Sequence, residues 1–145
     1  MLPINYLAVL ACGIVSMILG FVWYGPLFGK KYMQLQGMTQ EQAAEHMKNP
    51  ALRRKMMWNY VFTFVLALIT AFVLAHALYY VSVYEDARGI SIGLLVGIMI
   101  WLGFVVPATA NLVFFDKKNW SWWFLVNGYY LIQLLLMGAI LALWM

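Results

Sequence analysis

The sequence predicts an all-α integral membrane protein, a bundle of four transmembrane helices in a single domain of residues 1–145. Of the 145 residues, 66% are hydrophobic and only 10% are charged. A water-soluble domain of this size needs more polar surface than that. Four long apolar stretches, joined by loops whose basic residues fall almost wholly on one side, point to the same fold.

The four apolar stretches cover approximately residues 4–24, 58–80, 89–115 and 120–144. Each is close to or above the roughly 20 residues that a helix needs to cross a hydrocarbon core about 30 Å thick. The stretches are continuously apolar and do not alternate with a period of two, so helices are favoured over barrel strands. The third stretch is longer than a perpendicular helix requires and contains Pro107, which predicts a tilt or a kink.

The distribution of lysine and arginine predicts the orientation of the bundle. Eight of these residues lie between spans one and two or between spans three and four, whereas only Arg88 lies between spans two and three. Positive residues favour the cytoplasmic side of a membrane. Residues 25–57 are therefore expected to form a cytoplasmic loop, and both termini are expected on the outer side.

A short interfacial helix is expected within this first cytoplasmic loop. Thr39 and Gln42 fit a capping box, and the helix should end at about Lys48, before Asn49 and Pro50. The loop also contains a membrane-surface basic cluster, formed by Lys30, Lys31, Arg53, Arg54 and Lys55. The preferred interpretation is an anchor against anionic lipid headgroups. The alternative is a docking surface for a partner or an acidic ligand.

Small residues in spans one and three predict close packing between helices. They are Gly13, Ser16 and Gly20 in span one, and Gly93, Gly97 and Gly103 in span three. Such residues let helix backbones approach where lipid competes equally well for apolar contacts. The sequence leaves open whether these contacts form within one chain or between copies.

Uncharged polar residues towards the cytoplasmic ends of the spans are the main candidates for a binding site. Five are expected at a similar depth in the membrane, namely Asn59, Thr63, Asn111, Asn127 and Tyr130. If they turn inward together, they form a polar pocket for a small solute or a lipid headgroup. The preferred alternative is that they make hydrogen bonds between helices, a common role of asparagine and threonine in membrane bundles.

His76 is the one ionisable side chain predicted inside a span, about one turn from the outer end of span two. A buried histidine could relay a proton or sense pH. The favoured interpretation is that it reaches the interface beside Tyr79 and Tyr80. Trp101, near the middle of the bilayer, is expected to face the bundle interior because its indole N–H needs a partner.

Several chemistries lack the residues that they require. The spans contain no Asp, Glu, Lys or Arg, which argues against export coupled to an embedded carboxylate. The sequence has no HxxxH or HExxH pair for zinc or haem, and no serine can be assigned an activating histidine. We therefore expect no catalytic residue, no metal site and no cofactor. Nucleic acid is not expected as a partner either, because the basic residues lie in loops beside membrane segments.

A resemblance to a known family rests on several parts of the chain. They are residues 4–8, the stretch WYGPLFGK at 23–30, residues 127–129 and 137–141, and the single positions Gly103, Pro107 and Asn111. In these residues the chain resembles a bacterial family of unknown function, the one numbered 1761. The resemblance implies a small four-helix protein of the bacterial inner membrane, whose outer side is the periplasm. It implies no activity, ligand or catalytic residue.

Two functions remain open from the sequence. The leading hypothesis is a non-catalytic membrane module that forms a homo-oligomer or serves as an accessory subunit of a larger membrane complex. The alternative is a small channel or carrier for a polar solute, lined by the five polar residues named above. An enzyme is not expected, since no acid–base pair or nucleophile stands out.

Overall fold

The described part of the chain, residues 4–86 and 88–144 of a computed structural model, folds into helices joined by short loops. Helix α1 (Tyr6–Val22) continues into a π-helical turn (Trp23–Leu27), which is followed by α2 (Gly29–Leu35), α3 (Gln40–Lys48) and the long α4 (Pro50–Tyr84). The chain continues with α5 (Ile90–Ile100), a second π-helical turn (Trp101–Val105), α6 (Val106–Phe114) and α7 (Trp120–Leu143).

Four helical segments within the described residues are long and apolar enough to cross a membrane. They are Tyr6–Leu27, Pro50–Tyr84, Ile90–Phe114 and Trp120–Leu143. The predicted all-α fold with four membrane-type helices is thus confirmed. We call the end of the bundle that carries α2, α3 and the loop between α6 and α7 the basic end. The opposite end, where α1 begins and α7 finishes, is called the terminal end.

Helix α4 begins well before the apolar stretch that predicted it. Asn49 caps it by accepting a hydrogen bond from the Ala51 amide at 3.0 Å, and Pro50 occupies the first helical position. Arg53 and its basic neighbours therefore lie on the first turns of α4 rather than in an irregular loop. At 1.5 Å per residue, its 35 residues span about 50 Å, so the helix is longer than a hydrocarbon core.

The loop before α4 contains the helix that the capping signal predicted. The Gln42 amide donates to Thr39 Oγ1 at 3.2 Å, and the Thr39 amide donates to Gln42 Oε1 at 3.0 Å. This reciprocal pair satisfies two amides that would otherwise lack partners at the start of α3. The side chains of α3 are exposed or half-buried.

The buried core lies mainly towards the terminal end of the bundle. It is built from Ala8, Val9 and Cys12 of α1, Ala71, Leu74, Ala75 and Leu78 of α4, and Leu134, Met137 and Leu141 of α7. In α4 the first buried residue is Ala67, so residues 50–66 of this helix contribute no buried side chain. Helix α4 therefore packs tightly at the terminal end and stands away from its neighbours at the basic end.

Helices α5 and α7 approach each other closely through glycines. Gly93 and Gly138 face each other so closely that neither position has room for a Cβ atom, and a Cβ on Gly97 would lie 2.8 Å from the Leu134 carbonyl oxygen. The small-residue contacts of Gly93 and Gly97 thus form within one chain. Gly103 differs, because a Cβ there would meet no atom within 4 Å.

The irregularity expected near Pro107 is a π-helical turn that lies just before it. The Val106 amide donates to the Trp101 carbonyl, five residues earlier, and the Phe28 amide donates in the same way to the Trp23 carbonyl at 2.9 Å. The first turn contains Pro26 and the second lies just before Pro107; proline lacks an amide donor and crowds the carbonyl four residues before it. The first long helix therefore widens at its basic end, and the third widens near its middle.

Candidate functional site

A cavity of about 630 Å³ opens between α1, α4 and α7 towards the basic end. Five tyrosines line it, namely Tyr24, Tyr32, Tyr60, Tyr129 and Tyr130, and we call it the tyrosine-lined cavity. Ser16 and Thr63 add two hydroxyl-bearing residues to the lining, and Met17 and Phe21 add apolar surface. A cavity of this volume falls within the range of small-molecule sites in proteins.

One wall of the cavity is the basic-end half of α4. Tyr60 and Thr63 line the cavity from this helix, and Tyr60 is 58% exposed because little protein packs against it. Thr63 Oγ1 donates to the Asn59 carbonyl at 2.8 Å, a bond within the same helix. The gap between α1 and α4 therefore opens sideways, towards the surroundings of the bundle.

The opposite wall depends on the π-helical turn at the end of α1. Trp23 Nε1 donates to the Leu125 carbonyl of α7 at 3.2 Å, which ties this turn to α7. A Cβ on Gly128 would lie 3.2 Å from the Trp23 ring, so the glycine leaves room for the indole. This anchor positions the next residue, Tyr24, on the cavity wall.

The tyrosine rings of this wall form a continuous aromatic surface. The Tyr24 ring centroid lies 4.8 Å from that of Tyr32 and 5.2 Å from that of Tyr129, and Tyr129 lies 5.5 Å from Tyr130. Helix α2 can start beside the turn because its first residue, Gly29, has no side chain. A Cβ at this position would lie only 2.7 Å from the Tyr24 carbonyl oxygen. Residues of the π-helical turn, α2 and α7 are thereby in contact.

The hydroxyl groups in the cavity are only partly used by the protein. The Tyr129 hydroxyl donates to the Ser16 carbonyl at 3.4 Å, and the Tyr32 hydroxyl accepts from Gln36 Nε2 at 2.9 Å. The hydroxyls of Tyr24, Tyr60 and Tyr130 make no hydrogen bond to any residue that the structure describes. These groups remain free to donate to, or accept from, a bound molecule.

Among the described residues, no charged side chain lines the cavity, but basic residues lie close to the lining tyrosines in the chain. Lys31 directly precedes Tyr32 on α2, and Arg53 precedes Tyr60 by seven residues on α4. Seven residues are close to two helical turns, so Arg53 lies on the same side of α4 as Tyr60, about 10 Å nearer the basic end. All five members of the membrane-surface basic cluster are exposed.

The structure brings two of the five sequence-predicted polar residues to the cavity. Thr63 and Tyr130 line it, whereas Asn59 and Asn111 are exposed elsewhere on their helices. Asn127 is 1% exposed and packs against Thr109 of α6 rather than lining the cavity. Residue spacing gave these side chains a common depth, but it did not determine the direction in which each one points.

Asn127 is a hydrogen-bonding centre between helices. Its Nδ2 donates to Thr109 Oγ1 at 3.0 Å and to the Trp123 carbonyl at 3.1 Å. Its own carbonyl accepts from Trp101 Nε1 at 3.0 Å, which confirms that Trp101 faces the bundle interior. These contacts give Asn127 the role of a structural link between α7 and the third long helix.

His76 lies away from the cavity, in the part of α4 that belongs to the terminal end. Its Nδ1 is 2.8 Å from the Phe72 carbonyl and donates to it, because a carbonyl oxygen only accepts. The imidazole is half-buried and packs against the Phe72 ring at an interplanar angle of 60°, with ring centroids 4.3 Å apart. Within the described residues, no group of three or more His, Cys, Asp or Glu side chains is arranged to hold a metal ion.

Sequence reasoning missed the tyrosines as a set. Of the five tyrosines that line the cavity, only Tyr130 was among the predicted polar residues. The structure places Tyr24 on one cavity wall and Tyr60 on the facing wall. A usable signal was the concentration of tyrosines at one depth in three spans.

Comparisons with known proteins place the chain in a broader context. Residues 7–142 match the family described as "Protein of unknown function (DUF1761)". This match confirms the resemblance that was inferred from the sequence. Neither the curated proteins nor the solved structures gave a match.

Proposed function

The chain belongs to the family of unknown function DUF1761, and we propose that it is a non-catalytic membrane protein that holds a small amphiphilic molecule from the bilayer. The observation that carries this proposal is the tyrosine-lined cavity with its three free hydroxyl groups. This proposal is related to the carrier alternative raised by the sequence, but the cavity contains only Thr63 and Tyr130 of the five residues predicted to line it.

The lining suits a molecule with both oxygen atoms and hydrocarbon. Tyrosine hydroxyls donate hydrogen bonds to carbonyl, ester or phosphate oxygens, and the ring faces cover apolar surface. Deeper in the cavity, Met17 of α1 offers flexible apolar contact, and Phe21 offers a second apolar side chain. An amphiphile that lies with its polar part near the tyrosines satisfies both kinds of surface.

The shape of the bundle supports entry from the membrane. Residues 50–66 of α4 contain no buried side chain, so α4 leaves a gap beside α1 at the basic end. Molecules that diffuse within a bilayer meet such a gap directly, without crossing water. Holding a ligand in this gap, rather than passing it through the whole bundle, agrees with the tightly packed core at the terminal end.

We propose that the basic end faces the cytoplasm across a bacterial inner membrane. Eight of the nine lysines and arginines lie in the segments that form this end, and positive residues favour the cytoplasmic side. In this orientation α3 lies along the inner headgroups as an interfacial helix. Assembly into a homo-oligomer or a larger complex stays a prediction from the sequence.

Filling the cavity tests the proposed function. Gly20 lines it, and a Cβ there lies 3.5 Å from the Tyr129 hydroxyl, so Gly20→Leu directs a side chain into the space without a backbone clash. Gly103→Leu is the matched control, because it makes the same change where a Cβ meets no atom within 4 Å. Each full-length protein is purified in mild detergent, and the bound small molecules are counted by native mass spectrometry.

We expect wild type and Gly103→Leu to retain an amphiphile and Gly20→Leu to lose most of it. Thermal unfolding of the three proteins in the same detergent checks that each one is folded. Equal retention by Gly20→Leu and Gly103→Leu, or a wild-type protein without any bound amphiphile, rules the proposal out.

A further inference from the structure

We propose that the ligand of the tyrosine-lined cavity is a phosphate-bearing membrane lipid, whose phosphate lies between Lys31 of α2 and Arg53 of α4. This inference rests on the proposed function, because it names the chemical class of the molecule held in that same cavity. It assigns to two members of the membrane-surface basic cluster a role beyond general attraction to the bilayer.

The two basic residues belong to the two elements that flank the cavity at the basic end. Lys31 directly precedes Tyr32, which lines the cavity from α2 and touches the Tyr24 ring. Arg53 lies two turns before Tyr60 on α4 and on the same face of that helix. An anion bound at this end of the cavity would have one long basic side chain on each of the two elements as a partner.

The order of chemical groups along the cavity matches the order of groups in a phospholipid. Arg53 lies about 10 Å nearer the basic end than Tyr60, and the free hydroxyls of Tyr60 and Tyr24 lie deeper in the cavity, as the ester oxygens of a phospholipid lie deeper than its phosphate. Met17 lies seven residues from Tyr24 along α1, about 10 Å deeper, where the hydrocarbon chain would begin. Arginine in particular binds phosphate through two parallel hydrogen bonds.

Other occupants fit less well. A cationic ligand could stack on the tyrosine rings, but the two basic side chains at this end of the cavity repel it. A neutral lipid such as diacylglycerol fills the cavity yet leaves Lys31 and Arg53 without a partner. A free phosphate pairs with the cations and leaves the hydroxyl and apolar surfaces empty.

The first experiment compares three probes on the full-length protein in dodecyl maltoside micelles. The probes are phosphatidylglycerol, diacylglycerol with the same chains, and water-soluble glycerol phosphate. Binding is followed by native mass spectrometry and through the shift in Tm. We expect phosphatidylglycerol to bind at least about tenfold more tightly than diacylglycerol, as charge-assisted hydrogen bonds predict, and glycerol phosphate to bind far more weakly than either lipid.

The second experiment removes the two cations and compares a control of equal net charge. The test variant is Lys31→Gln with Arg53→Gln, and the control is Lys48→Gln with Lys55→Gln. Lys55 is two residues beyond Arg53, about 200° around α4, so it faces away from the Tyr60 side. All four positions are exposed, so the fold is expected to tolerate these changes.

We expect the test variant to lose about tenfold in affinity for phosphatidylglycerol and to keep its affinity for diacylglycerol. The control is expected to match wild type for both lipids. An equal loss in both double variants, or equal binding of the two lipids by wild type, overturns the phosphate assignment. Glycerol phosphate that binds as tightly as the lipid overturns it too, because the site is then a surface anion site.

These outcomes separate the inference from the proposed function. If Gly20→Leu releases the bound lipid but wild type does not prefer phosphatidylglycerol, the cavity holds an amphiphile of another class and only the phosphate assignment fails. If Gly20→Leu retains its lipid, the cavity is not the binding site and both proposals fail.

Discussion

Single polar side chains in this protein divide into those that link helices and those that face a cavity. Asn127 belongs to the first group, since both of its side-chain donor bonds are made within the bundle and it is almost fully buried. Tyr130 belongs to the second group, since it lines the cavity and its hydroxyl has no partner among the described residues. The two residues are three positions apart on α7 and point only about 60° apart, yet Asn127 contacts Thr109 whereas Tyr130 lines the cavity.

Leucine at Asn127 is expected to weaken the fold and to leave the cavity intact. The variant loses the hydrogen bonds to Thr109 and Trp123, which corresponds to about 1–2 kcal/mol of unfolding free energy in a membrane bundle. Asn111→Leu makes the same change at an exposed position, so it is expected to alter stability by less than about 0.5 kcal/mol. Denaturant unfolding in micelles measures both, and lipid retention is expected to stay at the wild-type level.

The positions of these asparagines along their helices could be predicted from the sequence, whereas their environment could not. Distance along a helix follows from a rise of 1.5 Å per residue, so the distances of Asn111 and Asn127 from the ends of their helices follow from the sequence alone. Lipid tails are as apolar as a helix interface, so the hydrophobic pattern does not show which side of a span is buried. If Asn127→Leu instead folded with full stability and lost its lipid, the pocket predicted from the sequence would be the better account.

At the scale of the elements, two π-helical turns hold α7 between them. Trp23 and Trp101 each begin such a turn, and their indoles donate to the carbonyls of Leu125 and Asn127. The two acceptors, Leu125 and Asn127, are two residues apart and therefore about 200° apart around α7. The two tryptophans thus contact α7 from nearly opposite sides. Each is followed two residues later by a glycine, a local likeness between spans one and three that the sequence shows once the turns are known.

Removing one indole donor at a time is expected to show that the two turns have different roles. Trp23→Phe and Trp101→Phe each lose one hydrogen bond to α7, so both should lower the unfolding free energy by about 1 kcal/mol. Only Trp23→Phe should also lower lipid retention, because its turn carries Tyr24 onto the cavity wall. Native mass spectrometry beside denaturant unfolding measures the two effects, and an equal loss of lipid in both variants would contradict this division of roles.

The helices themselves were largely predictable, and their departures from regularity were not. Apolar length and the Thr39 capping box were enough to predict where the four long helices and α3 form. A π-helical turn forms where backbone carbonyls accept hydrogen bonds from donors other than the usual amide four residues later. The Trp23 indole donates to Leu125, which is distant in sequence, so the local sequence did not predict this contact. The stretch WYGPLFGK, which carried the family resemblance, contains this turn and the start of α2.

The whole molecule is a bundle that is packed closely at one end and open at the other. At the terminal end, α1, α4 and α7 share the buried core, and the glycines of α5 and α7 bring two backbones into contact. At the basic end, α4 separates from α1 and leaves the tyrosine-lined cavity. The closely packed terminal end fixes the spacing of the helices, so the cavity keeps its shape without a domain outside the membrane.

The orientation of the bundle is testable with single cysteines, because the natural Cys12 is buried and can be replaced by alanine. In that background, Glu45→Cys places a thiol on the exposed surface of α3, and Glu85→Cys places one at the exposed end of α4. A membrane-impermeant maleimide is then applied to intact bacterial spheroplasts and to lysed ones. If the basic end faces the cytoplasm, Glu85→Cys reacts in both samples, whereas Glu45→Cys reacts only after lysis. Labelling of Glu45→Cys in intact spheroplasts would show that the bundle has the opposite orientation. The cavity would then take its ligand from the outer leaflet.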